Sequence, residues 1–408
     1  MANSVFQLHA PIQNYDWGSK ELIPEFFGWP LSQSPIAEIW YGAHELAPAR
    51  AQITVDQNLR LGDLLALNPN DFLGEHVVSE FGPRLPYLMK ALSAERPLSL
   101  QVHPKPHIAR QGFRAENQAG VPLTSAIRNY KDDQHKPEMI LALTHFEGLC
   151  SFRNAREMLR IFKVLKGPIF DPVRSLLENQ PNAIGIQEAF TYLLAQRESA
   201  DLKTNLADAV AQIQAALELS LGPRVQASYA TALFVAEHYP NDPGFLVSLM
   251  LNKIVLEPGQ ALFLGSGQVH AYLRGFGVEI MANSDNVLRA GLTSKMVDVP
   301  ELLKCAEFAP AIPHTPEIVK LGEGVIDLRP PVSEFGLIYG QVTGASLLER
   351  VGPRILLGLS GQLEILSEAQ HLPDVVASLA PGQAFFVPDS FGALTLKGQG
   401  SFVLSYVP

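Results

Sequence analysis

Cysteine is scarce: Cys150 and Cys305 are the two among 408 residues. That excludes a disulfide framework and a thiolate metal site, and it suits a reducing compartment. Charge is sparse too. Asp, Glu, Lys and Arg make up 18% of the chain, and 31 basic against 41 acidic groups leave a formal net charge of −10. No basic run offsets this balance, so nucleic acid is not an expected partner. The N-terminus, MANSVFQLHAPIQNYDWGSK, lacks the charged start and apolar core of a secretory leader. The most apolar stretch, FLVSLMLNKIVL, is too short to cross a bilayer and is broken by Lys253. With no heptad seam either, the expectation is a cytoplasmic protein, away from membranes, acting as a monomer or weak oligomer.

Pro and Gly are abundant, 31 of each, which predicts many turns and much β structure. The length exceeds what one hydrophobic core normally serves. Residues 1–153 read as strands and loops with some short helices. From Asn154 the texture changes: AREMLRIFKVLKG, IGIQEAFTYLLAQ, LKTNLADAVAQIQAALELS and VQASYATALFVAEHY carry apolar residues at three- and four-residue spacing, with Pro and Gly between the runs. After Pro243 the β texture returns. The predicted fold is mainly β with an inserted α-helical domain: 1–153 and 241–320 form one discontinuous domain, 154–240 the helical insertion, and 321–408 a second β domain.

PGQALFLGSGQVHA at 258–271 and PGQAFFVPDSFGAL at 381–394 align without a gap. Both resemble the second motif of a cupin, a small jelly-roll β-barrel, which predicts a cupin pair. His270 fills the motif's His position in the first copy and Ala393 in the second, so only the first could bind metal.

The string LSLQVHP puts Gln101 and His103 on one face of a strand, with Val102 turned into the sheet. In NYKDDQHKPEM, Pro137 keeps His135, Lys136 and Glu138 on extended or turn backbone, and Lys136 and Glu138 share a side if the segment is extended. His270 follows a Gly-rich turn at a strand mouth. Two His, a Glu and an amide oxygen suit a borderline divalent ion such as zinc, with a position left open for water or substrate. A further string, HAYLRGFGVEIMANSDNVLRAGLTSK, sets Glu279, Asn283, Ser284, Asp285, Asn286, Arg289 and Lys295 in an apolar frame.

This last string and YKDDQHKPE resemble the two signature motifs of the type I mannose-6-phosphate isomerases. YDWGS, AEIWYGAHELAPA and LPYLMKALSAERPLSLQVHP match that family in order. The resemblance implies a catalytic cupin beside a C-terminal cupin-like domain without metal, and one Zn2+ per chain held by Gln101, His103, Glu138 and His270. It implies catalytic or substrate-contacting roles for His135, Lys136, Asp285 and Arg289. The expected reaction interconverts mannose 6-phosphate and fructose 6-phosphate through an enediol, with the sugar phosphate as the partner. Asp285 and His135 are both candidates for the base, and Arg289, Lys295 and Arg110 for the phosphate contact. Gln134, Ser294 and Lys105-Pro106 depart from the family pattern. A cupin oxygenase and a non-catalytic sugar-phosphate-binding relative are the rival readings; iron with oxygen uptake, or no isomerase turnover, would mark them.

Overall fold

The computed structural model describes residues 4–367 and 374–408. It is rich in sheet, with a run of successive helices between Ala155 and His238 and other helices, such as Leu61–Leu67 and Pro106–Gln118, elsewhere in the chain. The strands form two ten-stranded sheets, and neither strand order returns on itself among the described residues. One sheet contains the strands from Glu317 to Tyr406 and, across Phe6↔Phe386, the N-terminal strands Phe6–His9, Arg50–Thr54 and Gln57–Arg60.

The second sheet is organised around the long strand His270–Ala282. Along its length this strand pairs with Tyr87–Ala94, Glu138–Ala142, Phe146–Phe152 and, through His270↔Gln101, with Leu100–Val102. Its pairing with Tyr87–Ala94 begins at Gly275, whose φ is +121°. A Cβ there would lie 2.6 Å from the His145 carbonyl oxygen, so only glycine lets the neighbouring strand approach this closely.

Period-two alternation assigns each face. Tyr87, Met89 and Ala91 join Met139, Val278 and Ile280 in a core shared with Ile355, Leu357, Phe386 and Val403 of the first sheet. Leu88, Lys90 and Leu92 take the opposite face. The helices Ala155–Phe162, Ala183–Ala195, Leu202–Leu217 and Pro223–His238 fall where the periodicity predicts them, and a further helix, Phe170–Asn179, lies between the first two without being singled out by spacing. Asn154 and Asn182 cap two of them by accepting from Glu157 N and Ile184 N, and Pro223 opens the last. Their apolar faces pack in one cluster with Leu100, Val102, Val269, Ala271 and Leu288, so the helical block grips the backs of the strands that carry Gln101 and His270.

The repeated PGQA turn is reproduced bond for bond. Gly259 N donates to Ala142 O and Gly382 N to Gly358 O, while Gln260 Oε1 accepts from Glu257 N and Gln383 Oε1 from Ala380 N. Each turn feeds a four-residue strand, Ala261–Leu264 or Ala384–Val387. Among the described residues, no helix is long and apolar enough to cross a membrane.

Candidate active site and metal centre

A cleft of about 1250 Å³ opens between the cleft-facing side of the second sheet and the helical block. Its floor carries Gln101, Lys136 and Glu138, and Asp285 and Arg289 line its wall. Beneath it, His103, Glu138 and His270 bring one ligand atom each within 4.8 Å of one another. Sheet register accounts for the convergence. His270 and Arg289 both lie directly opposite Gln101, so all three share a face, and Glu138 pairs with Met281 of the same long strand. Pro104 follows His103, and the helix Pro106–Gln118 begins two residues later.

The bonding of the three donors tests whether an ion fits. His103, Glu138 and His270 are at most 1% exposed. His103 Nε2 lies 3.2 Å from Glu138 Oε1, and His270 Nε2 lies 3.4 Å from Oε2. Yet both Nε2 atoms and Glu138 Oε2 lack a directed hydrogen bond. Buried polar atoms are rarely left this way unless something else occupies their lone pairs. The remote nitrogens are engaged: His103 Nδ1 donates to Asn286 O and His270 Nδ1 to Gln268 O, both at 2.8 Å. That assignment leaves the Nε2 lone pairs facing Glu138, the arrangement typical of metal-ligating imidazoles. Burial holds His103 down at about 4, in its neutral form. Burial works to raise Glu138, but Lys136 and the two imidazoles outweigh it and keep the carboxylate ionised. A carboxylate with two imidazoles is a zinc-type donor set, and Gln101 adds an amide on the same face.

Two loops set the polar wall above these donors. Asp132 accepts from Ser284 Oγ and from Asp285 N, while Asn286 Nδ2 donates to the Asp132 and Gln134 carbonyls. These contacts lock the two signature segments together and orient Lys136, whose Nζ sits 2.9 Å from Glu138 Oε1. Asp285 meets His44 Nε2 at 3.3 Å. Burial opposes ionisation of Asp285, but His44, Lys136 and Lys90 together hold its carboxyl below the ordinary value. Arg289 has no carboxylate partner among the described residues, and burial lowers its pKa. Lys295 is lowered first by the charge of Arg289 and then by burial.

Other candidates lie elsewhere. His135 does not line the cleft; its Nε2 contacts Glu334 Oε1 at 2.5 Å, on the far side of the loop. Lys105 pairs with Glu307, and Arg110 is exposed on its helix, outside the cleft. The Gln134 departure is accommodated because its carbonyl makes the contact to Asn286 while its side-chain amide donates to the neighbouring Asp133, and Ser294 is exposed at the cleft rim.

One buried cluster escaped the motif reading. Lys90 Nζ donates to Glu279 Oε2 at 2.9 Å and to Glu38 Oε1 at 3.3 Å, and sits 5.3 Å from the centre of the Trp40 ring. Trp40 Nε1 donates to Glu38 Oε2, completing the row along the cleft floor. Burial would lower Lys90, but Glu279 and Glu38 reverse the sign and hold the ammonium charged. Glu279 is raised, chiefly by burial and with help from Glu138 and Glu38, against Lys90. The signal for this cluster was a lysine and a glutamate, each in a run otherwise suited to a fully buried strand, YLMKALSA and EIWY. Gln268 left no signal, because it acts through its backbone carbonyl.

Known proteins resemble this chain in sequence and in fold. Residues 5–155 match the family model for the phosphomannose isomerase type I catalytic domain. A mannose-6-phosphate isomerase of Escherichia coli (strain K12) is 36% identical over 400 residues, covering 97% of each chain. The human mannose-6-phosphate isomerase is 32% identical, covering 84% of each chain. A crystal structure of a zinc-bound mannose 6-phosphate isomerase superposes with a TM-score of 0.87 at 34% identity over 99% of both chains. A variant phosphomannose isomerase from Salmonella typhimurium gives a TM-score of 0.86 at 33% identity, again over 99% of both. A likeness in sequence and structure that runs the length of the chain, together with the buried histidines and glutamate in its cleft, makes this protein a member of the type I phosphomannose isomerase family.

Proposed function

We propose that the protein interconverts mannose 6-phosphate and fructose 6-phosphate, with one zinc held by Gln101, His103, Glu138 and His270. The observation that carries this reading is the set of buried, mutually facing and unbonded donors at the base of a cleft lined by Lys136, Asp285 and Arg289. When bound, zinc supplies Lewis-acid polarisation at the O1/O2 edge of the sugar. The carbon acid at C2 is weak, so the chain's own groups must stabilise the enediol that forms as its proton leaves. Asp285 is ionised at neutral pH and faces the cleft, which favours it over His135 as the group that takes the proton from C2 and returns it at C1. Arg289, free of a carboxylate partner, is suited to the developing oxyanion. Lys136 is suited to moving a proton between O1 and O2. Lys295, beside Arg289, extends the positive end towards the phosphate.

Two finer readings accompany this one. The three-part division at 1–153 with 241–320, 154–240 and 321–408 is supported by the run of successive helices between Ala155 and His238. A cupin-like origin for both sheets is supported by the repeated PGQA turn and its matched hydrogen bonds.

The test is a coupled assay on mannose 6-phosphate with protein of measured metal content, run in deuterium oxide. Zinc-dependent turnover, with deuterium appearing at C1 of the ketose, is the expected result. Iron in the isolated protein with oxygen uptake, or absent turnover from zinc-loaded protein, would refute it.

A further inference from the structure

The segment that carries Arg289 and Lys295 has an unusual backbone. Gly291 has φ +157° and Leu292, a buried side chain, has φ +55°. A leucine in the left-handed region is sterically disfavoured and persists only where its surroundings impose it. Those surroundings come from the helical block. Asp242, just beyond the helix Pro223–His238, accepts from Thr293 N through Oδ2 at 3.2 Å and from Gly244 N through Oδ1 at 2.7 Å. Arg197, at the end of the helix Ala183–Ala195, donates Nη2 to both Asp242 oxygens at 2.6 and 2.7 Å. Gly291 fits beneath this pair with no room to spare: a Cβ would lie 3.0 Å from Gly244 Cα and 3.4 Å from Arg197 Nη2. Arg197 and Asp242 themselves line the cleft, and Arg197 Nη1 is buried without a hydrogen-bond partner.

The stretch between Arg289 and Lys295 is therefore shaped by the helical insertion, not by the sheet alone. Its two cations sit close together without an acidic partner among the described residues, an arrangement that costs repulsion until an anion arrives.

We infer that the Arg197–Asp242 pair, at the boundary of the helical insertion, is a positioning device: it holds the 291–293 turn in its strained form so that Lys295 is set for the phosphate of the sugar substrate, while Arg289 stays on its strand opposite Gln101. This inference rests on the isomerase reading for its substrate, and phosphate binding tests it separately. Fixing the turn before the ligand arrives removes an ordering cost from binding. The pair touches no reacting atom, so its loss falls on affinity more than on turnover.

The experiment compares zinc-loaded wild type with Asp242→Asn, Arg197→Met and Arg197→Lys. Inorganic phosphate is titrated by calorimetry, and isomerase kinetics are measured with mannose 6-phosphate. Folding is checked by thermal melting, and zinc content by metal analysis. Asp242→Asn and Arg197→Met should weaken phosphate binding and raise KM by about tenfold, with kcat changed less than about threefold and zinc content kept. Arg197→Lys should recover part of the affinity. Unchanged phosphate affinity and KM in folded Asp242→Asn and Arg197→Met would overturn the inference. So would a fall in kcat and stability at constant KM, which marks a merely structural pair. Wild type that binds phosphate without isomerising sugar would overturn the isomerase reading alone, and the variants' phosphate affinities would still decide the positioning role.

Discussion

Lys90 and Arg289 are both cations of the cleft, yet they answer different physical demands. Lys90 is buried between Glu38 and Glu279, and each partner would be costly alone. Replacing it by methionine strands two carboxylates in the floor and should cost about 3–5 kcal/mol of stability, read from urea unfolding at pH 7. Arg289 has no such partner to strand. Arg289→Ala should melt close to wild type and retain zinc, while kcat/KM falls by a factor of about 100 to 1000, as expected when a donor to a developing oxyanion is lost. Near-normal turnover with zinc in place would remove the role given to Arg289.

At the scale of elements, the site depends on how the strands around His270–Ala282 are tied at their rims. Glu147 joins three of them: its carboxylate meets Arg274 of the long strand at 2.7 Å, Lys253 of Leu251–Leu256 at 3.1 Å and His145 Nε2 at 3.2 Å. Burial works to raise it, but the bonds from Arg274, Lys253 and His145 prevail and hold it at about 2. Because the folded value is depressed, the unfolded chain takes up this proton first on acidification. The contribution is complete above the ordinary carboxylate range and fades as pH falls towards 2. Glu147→Gln should therefore cost about 1 kcal/mol at pH 7 once solvent screening at the rim is allowed for. The gap to wild type should narrow as denaturation is repeated from about pH 5 down to about pH 3. A gap independent of pH would mean that packing, not charge, ties these strands.

For the whole molecule, the donors beneath the cleft link metal binding to stability. Glu138 and His270 begin separate strands and His103 lies just past a third, so an unfolded chain does not hold them together. An ion that binds only the folded form should stabilise it by about 3–4 kcal/mol at 100 to 1,000 times its dissociation constant. Exhaustive chelation should then abolish isomerase activity and lower the melting temperature by several degrees, and stoichiometric zinc should restore both. Activity that survives metal-free would defeat the zinc reading, and an unchanged melting temperature would show that the donors hold no ion.

Local pattern made much of this protein readable before any coordinates. Three- and four-residue spacing marked most of the helices between Asn154 and His238, alternation placed Gln101 and His103 on one face, and Pro137 kept Lys136 and Glu138 off a helix. These are consequences of backbone sterics and side-chain periodicity within a few residues. The ligand candidates were legible for the same reason, since they sit in three short strings, Gln101 and His103 together in one and Glu138 and His270 in the others. What the tertiary structure alone decided depends on register between distant segments. It put Glu38, Lys90 and Glu279 in one row, turned His135 outward to Glu334, and joined the strand Phe6–His9 to the sheet formed by the tail. It also let Asp242, just past the last helix of the insertion and held by Arg197 within it, grip the turn after Arg289. Strand order and cross-strand partners arise from packing between remote faces, so no local pattern carries them.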